Sequence, residues 1–129
     1  MSDSTDPLAW VARAEEDLAL ARSALRRKVP LTYGATFHAQ QGAEKYLKAL
    51  LLSRGQVFPR THDLAALSDL CQQSGLSIQV PQDALERLTA YAVQVRYPGE
   101  DPTPDEAREA LHIARAVRRW ARTLLLPLP

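Results

Sequence analysis

The sequence has little of what would direct it toward a β-rich, disulfide-bonded or membrane-spanning fold. Its 129 residues include one cysteine, Cys71, so an internal disulfide and a cysteine-rich zinc site are both excluded. Valine and isoleucine together number 9 and aromatic residues 8, which is too few for an extensive sheet. No apolar run approaches the ~18 to 20 residues that a membrane-spanning helix needs. We therefore expect an all-α protein from a reducing compartment.

The sequence also has almost no excess of one charge sign, because 16 basic residues balance 15 acidic ones and leave a net charge of +1. This balance argues against a strongly basic nucleic-acid module and against a disordered acidic tail. The first six residues are polar and acidic, unlike a secretory or transit peptide, which predicts a cytoplasmic location. Helix formers are abundant, with 20 alanines and 20 leucines. We expect residues 1–129 to form a single domain.

Capping residues and apolar spacing predict five helices. Asp6-Pro7 begins the first, whose apolar residues recur at spacings of three and four, and Val29-Pro30 ends it. The second runs from about Leu31 or Thr32 to Arg54, before Gly55, and has so little polar circumference that we expect it to be the most buried. The apolar face of the first helix consists of Val11, Ala14, Leu18, Ala21 and Leu25.

The remaining helices are predicted from their ends. Thr61-His62-Asp63 caps a short third helix, and a fourth follows Pro81 and stops before Tyr97-Pro98. A capping box from Thr103 to Glu106, with proline at the first helical position, opens the last helix. Helices of ~22 residues extend roughly 33 Å, longer than the ~28 Å diameter of a compact chain of this length. We expect an elongated up-and-down four- or five-helix bundle.

A polar stripe crosses the otherwise apolar second helix, and it is the first candidate for a functional site. His38, Gln41, Lys45 and Lys48 follow one another at helical spacing, and Glu44 borders them. The stripe is either the solvent-facing strip of a central helix or a groove for a ligand or partner, in which imidazole, amide and ammonium groups hold a phosphate or a base. No histidine or carboxylate stands three or four residues after His38, so we predict no metal site and no cofactor.

Three further features have two interpretations each. His62 belongs to a helix cap, or it presents an imidazole beside a helix end suited to anions. Arg96 and Tyr97 end a helix, or they belong to a site. The basic exterior of the last helix is a solvated face, or a surface for RNA or an acidic partner, and its arginines are Arg108, Arg115, Arg118, Arg119 and Arg122. The final Leu-Leu-Leu-Pro-Leu-Pro segment is expected to bury against the bundle or a second subunit.

Several of these segments together resemble the prokaryotic HEPN family. They are the segment from Trp10 through Leu20, the stretch FHAQQGAEKYLKAL over residues 37–50, THDL over 61–64, and RYP over 96–98. The resemblance covers nearly the whole chain and implies a helical bundle that is commonly dimeric. It also implies nucleotide binding and a small nucleotidyltransferase partner, sometimes in a toxin–antitoxin pair. The matching positions give the candidate ligand-binding residues His38, Gln41, Glu44, Lys45, His62, Arg96 and Tyr97.

Many members of that family are metal-independent ribonucleases in which a histidine follows an arginine after four to six residues. Here the positions at that spacing from Arg96 hold Asp101, Pro102 and Thr103, so no catalytic residue is assigned. We expect a homo-oligomeric module that binds a nucleotide, a nucleotidyltransferase partner, or both. The alternative is a divergent endoribonuclease that uses Arg96 with His38 or His62.

Overall fold

Five α-helices account for the regular structure of the protein. The computed structural model describes residues 5–77, 79–94 and 96–125, and within them it contains no strand. This confirms the predicted all-α bundle. The helices are α1 (Pro7–Arg26), α2 (Thr32–Ser53), α3 (Leu64–Gln73), α4 (Gln82–Val93) and α5 (Pro104–Leu125). None of the described helices combines the length and apolar character that crossing a membrane requires.

The helix ends use the caps that the sequence predicts. The Asp6 carboxylate accepts a hydrogen bond from the Leu8 N–H at 2.9 Å, and Pro7 occupies the first helical position of α1. Asp63 caps α3 in the same way. At the start of α5 the Glu106 N–H donates to the Thr103 hydroxyl at 3.1 Å, while the Thr103 N–H donates to the Glu106 carboxylate at 2.9 Å. The predicted capping box is therefore confirmed.

Cross-helix contacts fix the directions of the long helices. Asp17 of α1 contacts His38 of α2 while Glu15 of α1 contacts Tyr46, so α1 and α2 pack side by side and antiparallel. Along α5 the order is reversed relative to α1, since Glu15 pairs with Arg118 while residues near the end of α1 lie beside residues near the start of α5. The short helices α3 and α4 carry the chain from the end of α2 back to the end of the bundle where α1 finishes. From there α5 runs antiparallel to α1.

The hydrophobic core surrounds α2, which is the most buried helix, as predicted. Tyr46, Leu47, Leu50 and Leu51 of α2 are almost completely enclosed. They pack against the predicted apolar face of α1, the inner sides of α3 and α4, and the alanine-rich seam of α5. The described residues thus share one core, which holds α2 and its polar groups in place.

Two helices end earlier than their sequence signals suggest. α1 ends at Arg26 rather than at Val29-Pro30, and α4 ends at Val93, where Gln94 is extended, ahead of Tyr97-Pro98. Val93 and Gln94 are both exposed, so the buried face of α4 does not continue through these two residues. Residue 95 and the Leu-Pro-Leu-Pro end of the chain, which the sequence places against the bundle, lie outside the described residues.

Candidate functional site

The polar stripe of α2 is divided between two carboxylates. Asp17, on the inner face of α1, accepts a hydrogen bond from His38 Nδ1 at 2.8 Å through one oxygen and from the Lys45 ammonium through the other. The Asp17 side chain is only 10% exposed. Buried carboxylates require such partners, because an unpaired charge in the core is costly. His38 and Lys45 are therefore joined through a residue of a different helix.

Glu44 forms the second and more deeply buried centre, and its side chain is 4% exposed. Its Oε1 accepts a hydrogen bond from His62 Nδ1 at 2.8 Å and another from Gln40 Nε2 at 3.3 Å. Its Oε2 accepts a hydrogen bond from the Lys48 ammonium at 2.8 Å. Gln41 Nε2 donates to Gln40 Oε1 at 2.9 Å and extends the network along α2. We call Gln40, Gln41, Glu44, Lys48 and His62 the Glu44 cluster.

His62 reaches Glu44 because the segment before α3 folds back over α2. Gln40 Nε2 donates to the His62 carbonyl at 2.7 Å and fixes the backbone at this point. The His62 side chain is 67% exposed although its Nδ1 contacts a buried acid. With Nδ1 donating to the carboxylate, Nε2 is the nitrogen left for other interactions. The cluster therefore presents one oriented imidazole at the surface.

Lys48 connects the Glu44 cluster to two aromatic side chains. Its ammonium lies 5.0 Å from the centre of the Phe58 ring and 5.7 Å from that of the Trp10 ring. The two rings meet edge to face with centroids 5.3 Å apart. The ammonium is attracted to the rings through their quadrupoles, and the edge-to-face arrangement of the two rings is also attractive. The buried Lys48 ammonium thus contacts the Glu44 carboxylate and two half-buried rings, of which Trp10 lies on α1 and Phe58 on the segment between α2 and α3.

A separate polar network ties α5 to α1 and α2. Arg118 Nε donates to Glu15 Oε2 at 2.7 Å, and the Tyr46 hydroxyl donates to the same carboxylate. Burial raises the pKa of Glu15, but hydrogen bonds from Arg118 and Tyr46 and the charges of Arg118 and Arg122 outweigh burial and lower the pKa below 4.5. Burial and the hydrogen bond to Glu15 raise the pKa of Tyr46 above 10.0. These groups contact one another across α1, α2 and α5, so we assign them a role in holding the helices together rather than in binding a ligand.

Arg96 and Tyr97 make local contacts after α4. An Arg96 Nη1 proton is donated to the Glu100 carbonyl at 2.8 Å, and the Tyr97 N–H donates to the Glu100 carboxylate at 3.0 Å. Arg96 Nε is buried without a hydrogen-bond partner, and Tyr97 is 70% exposed. Within the described part of the chain, neither residue forms a hydrogen bond or ion pair with the groups of α2.

The seven candidate residues therefore occupy three places. Gln41, Glu44 and His62 share the Glu44 cluster, His38 and Lys45 share Asp17, and Arg96 and Tyr97 stand apart. Among residues 5–77, 79–94 and 96–125, no three histidine, cysteine, aspartate or glutamate side chains form a group that could hold a metal ion.

Sequence reasoning missed Asp17 and Gln40, the two residues that organise these contacts. Asp17 lies three residues after Ala14 and four before Ala21, at the spacing of the apolar face of α1. Gln40 lies four residues before Glu44 and four after the buried Thr36. A polar residue at a core spacing is the signal that would have identified both.

Comparisons with known proteins agree with this architecture. The chain is similar to the solved structure of TT1696 from Thermus thermophilus, with a TM-score of 0.69 and 30% identity, covering 91% of this chain and 96% of that one. It is also similar to ST0689, an archaeal HEPN homologue, with a TM-score of 0.68 and 25% identity, covering 92% and 97% of the two chains. No curated protein matches the chain. The model of the HEPN domain family matches residues 8–124, and the chain thus belongs to the HEPN domain family.

Proposed function

We propose that the protein is a cytoplasmic, homo-oligomeric binding module that takes a nucleotide at the Glu44 cluster. The observation that carries this proposal is the His62 imidazole, exposed to solvent while its Nδ1 is held by the buried Glu44 carboxylate. Folding this acid into the bundle costs free energy that its donors offset. A bundle needs no such acid for packing, whereas a binding site needs an imidazole of fixed orientation.

The chemistry around His62 suits a nucleotide. The Nε2 nitrogen donates to a phosphate oxygen when the ring is protonated and accepts a hydrogen bond when the ring is neutral. The half-buried Trp10 and Phe58 rings, which both contact the Lys48 ammonium, offer aromatic surface to a base, because every base has a face that stacks. Polar and aromatic groups together match the composition of small-molecule sites.

A thermal shift assay tests nucleotide binding. Wild-type protein is melted with a panel of adenine, guanine, cytosine and uracil nucleotides, beside His62→Ala and the control His112→Ala, whose imidazole lies on α5. A nucleotide at 100 times its Kd stabilises the wild type by about 2.7 kcal/mol. We expect this gain to disappear in His62→Ala and to persist in His112→Ala. A melting temperature unmoved by every nucleotide would contradict the nucleotide part of the proposal.

Self-association is supported by the start of α2. Tyr33 and Phe37 lie one turn apart on α2, with 57% and 41% of their surfaces exposed. Large exposed aromatic residues are enriched at interfaces. We expect light scattering to give an oligomer for the wild type and a monomer for Tyr33→Glu/Phe37→Glu. An oligomer that survives both changes would exclude this face from the interface.

A small nucleotidyltransferase is the protein partner that this family membership suggests, in a toxin–antitoxin-type pair. Copurification of the chain with a nucleotidyltransferase encoded beside it tests this part. Failure of the two proteins to copurify when they are expressed together would contradict the proposed partner but would not bear on the proposed nucleotide binding.

A divergent, metal-independent endoribonuclease is the second candidate. The observation in its favour is that two imidazoles, His38 and His62, each hydrogen-bond a buried carboxylate at 2.8 Å, an arrangement that orients a general base. Structured RNA incubated with the protein and a chelator tests it. Cleavage that is lost in Arg96→Ala and in His38→Ala or His62→Ala would support this function, and intact RNA would exclude it.

A further inference from the structure

A basic groove lies between the second half of α1 and the outer side of α5. Two adjoining depressions of about 540 and 380 Å³ form it, and they share Arg22, Arg115 and Arg119. Because α1 and α5 run antiparallel, arginines from the end of one helix face arginines along the other. The arginines that line the groove are Arg22, Arg26, Arg108, Arg115, Arg118 and Arg119.

Most of this positive charge is not neutralised by the protein. Arg118 pairs with Glu15 at 2.7 Å, and Arg108 pairs with Asp105. Within the described part of the chain, Arg22, Arg26, Arg115 and Arg119 form no ion pair or hydrogen bond through their side chains. Glu15 is the carboxylate that lines the groove. The near-zero net charge of the whole chain therefore hides a surface of one sign.

The arrangement works against helix stability. Arg22 and Arg26 are four residues apart on α1, as are Arg115 and Arg119 on α5, and like charges at this spacing repel. Every basic residue here is arginine except for His112, and the planar guanidinium binds phosphate oxygens in pairs. An anionic ligand would relieve the repulsion and use this geometry.

The lining favours a nucleic acid over an acidic protein. Its leucines, Leu18, Leu25 and Leu111, are buried or half-buried, so the groove lacks the apolar centre of a protein interface. From Arg108 to Arg119 α5 rises about 16 Å, which matches the axial rise of about five nucleotide steps along one strand of a duplex. We propose that this groove binds the phosphodiester backbone of a nucleic acid without reading its base sequence. The site is separate from the Glu44 cluster and does not depend on nucleotide binding there.

Fluorescence anisotropy with a labelled, mixed-sequence 20-nucleotide single-stranded RNA tests the proposal. Four arginine–phosphate contacts predict an affinity that falls about 50-fold between 50 and 200 mM KCl. A 20-base-pair DNA duplex of unrelated sequence is expected to bind with a similarly steep salt dependence. Absence of binding to both nucleic acids at 50 mM KCl would overturn the proposal.

Matched charge variants locate the surface. Arg22→Gln/Arg115→Gln/Arg119→Gln should lower the slope of log affinity against log salt by about 2. The control Arg13→Gln/Arg54→Gln/Arg60→Gln removes the same charge at exposed positions outside the groove and should keep the wild-type slope. Equal loss in the two variants would overturn the assignment to the groove.

Two further measurements keep the test decisive. Replacing the same three groove arginines by lysine preserves the charge and should preserve the slope of log affinity against log salt. This variant therefore separates a loss of charge from a loss of stability if the glutamine variant melts at a lower temperature. His62→Ala should bind the RNA like the wild type, whatever its effect on nucleotides. Displacement of the RNA by poly-glutamate at a lower charge concentration than unlabelled RNA would identify an acidic polypeptide as the ligand and overturn the proposal.

Discussion

Gly42 of α2 lies so close to Leu18 of α1 that a Cβ atom on Gly42 would stand 2.7 Å from Leu18 Cδ2. The same Cβ would lie 3.3 Å from the Ala14 carbonyl oxygen. The absence of a side chain at this position therefore sets the distance between the two helices. That distance brings Asp17 of α1 within hydrogen-bond reach of His38 on α2.

Gly42→Ala is expected to destabilise the protein. Overpacking costs about 1–3 kcal/mol, and because Leu18 Cδ2 and Cγ would stand 2.7 and 2.8 Å from the added Cβ, we expect the cost to exceed the ~1 kcal/mol that alanine gains over glycine in a helix. The free energy of unfolding in urea measures the difference. Gly34→Ala is the matched control on the same helix, because a Cβ there has no atom within 4 Å, and it should raise stability. Equal effects of the two substitutions would show that the helices can separate freely.

Glu44→Ala is expected to reduce the free energy of unfolding by about 3–5 kcal/mol, since it leaves the Lys48 ammonium buried without its partner. Urea unfolding measures this loss. The exposed Glu16→Ala provides the comparison and should change stability by less than about 0.5 kcal/mol.

A double variant separates the ion pair from the packing around it. Glu44→Leu/Lys48→Met removes both charges together, and we expect it to recover most of the stability that Glu44→Ala loses. If the double variant were as unstable as Glu44→Ala, the buried pair itself would be needed for folding. Nucleotide binding by a stable double variant would place the ligand elsewhere than the Glu44 cluster.

The Glu15 network predicts a dependence of stability on acid. Because the folded-state pKa of Glu15 is lowered, its contribution is present above pH 4.5 and is lost as the pH falls through the folded-state pKa. The stability difference between wild type and Glu15→Gln should shrink below pH 4.5. Glu15 is 38% exposed, so the full difference is at most about 1 kcal/mol. In an Arg118→Gln background the effect of Glu15→Gln should be smaller, and an unchanged effect would assign the stabilisation to other groups.

Cys71 is expected to react with iodoacetamide only when the protein unfolds. Its thiol is fully buried, and burial raises its pKa to about 12, so little thiolate exists at neutral pH. Mass spectrometry should show slow labelling that accelerates with urea. A Ser23→Cys variant, with its new thiol on the exposed side of α1, should take up a first label rapidly under native conditions. Fast labelling of Cys71 in water would mean that α3 opens locally.

Much of the fold follows from short-range rules that can be read directly from the sequence. The capping box from Thr103 to Glu106 and the apolar spacing of α1 depend on residues within one or two turns of each other. The polar contacts did not follow as easily, because they depend on partners far apart in the chain. His62 reaches Glu44 across 18 residues, and Lys45 reaches Asp17 across 28.

Arg96 and Tyr97 illustrate the limit of pattern matching. Their match to a family motif predicts a site shared with residues of α2, which stays a prediction; the structure shows that α4 ends at Val93 and that both residues contact Glu100. The arginine groove shows the opposite case. The basic exterior of α5 is visible in the sequence, but the complementary row on α1 becomes part of the same surface only through antiparallel packing.

That packing has a consequence for the order of folding events. α1 and α2 are joined by a short connector, whereas Glu15 and Arg118 are separated by 103 residues. Closing a long loop costs more entropy than closing a short one, so we expect the α1–α2 hairpin to form early and α5 to dock late. The arginines of the two helices then meet only in the last step. A chain halted before that step would carry the same charge but would lack the paired rows that line the groove.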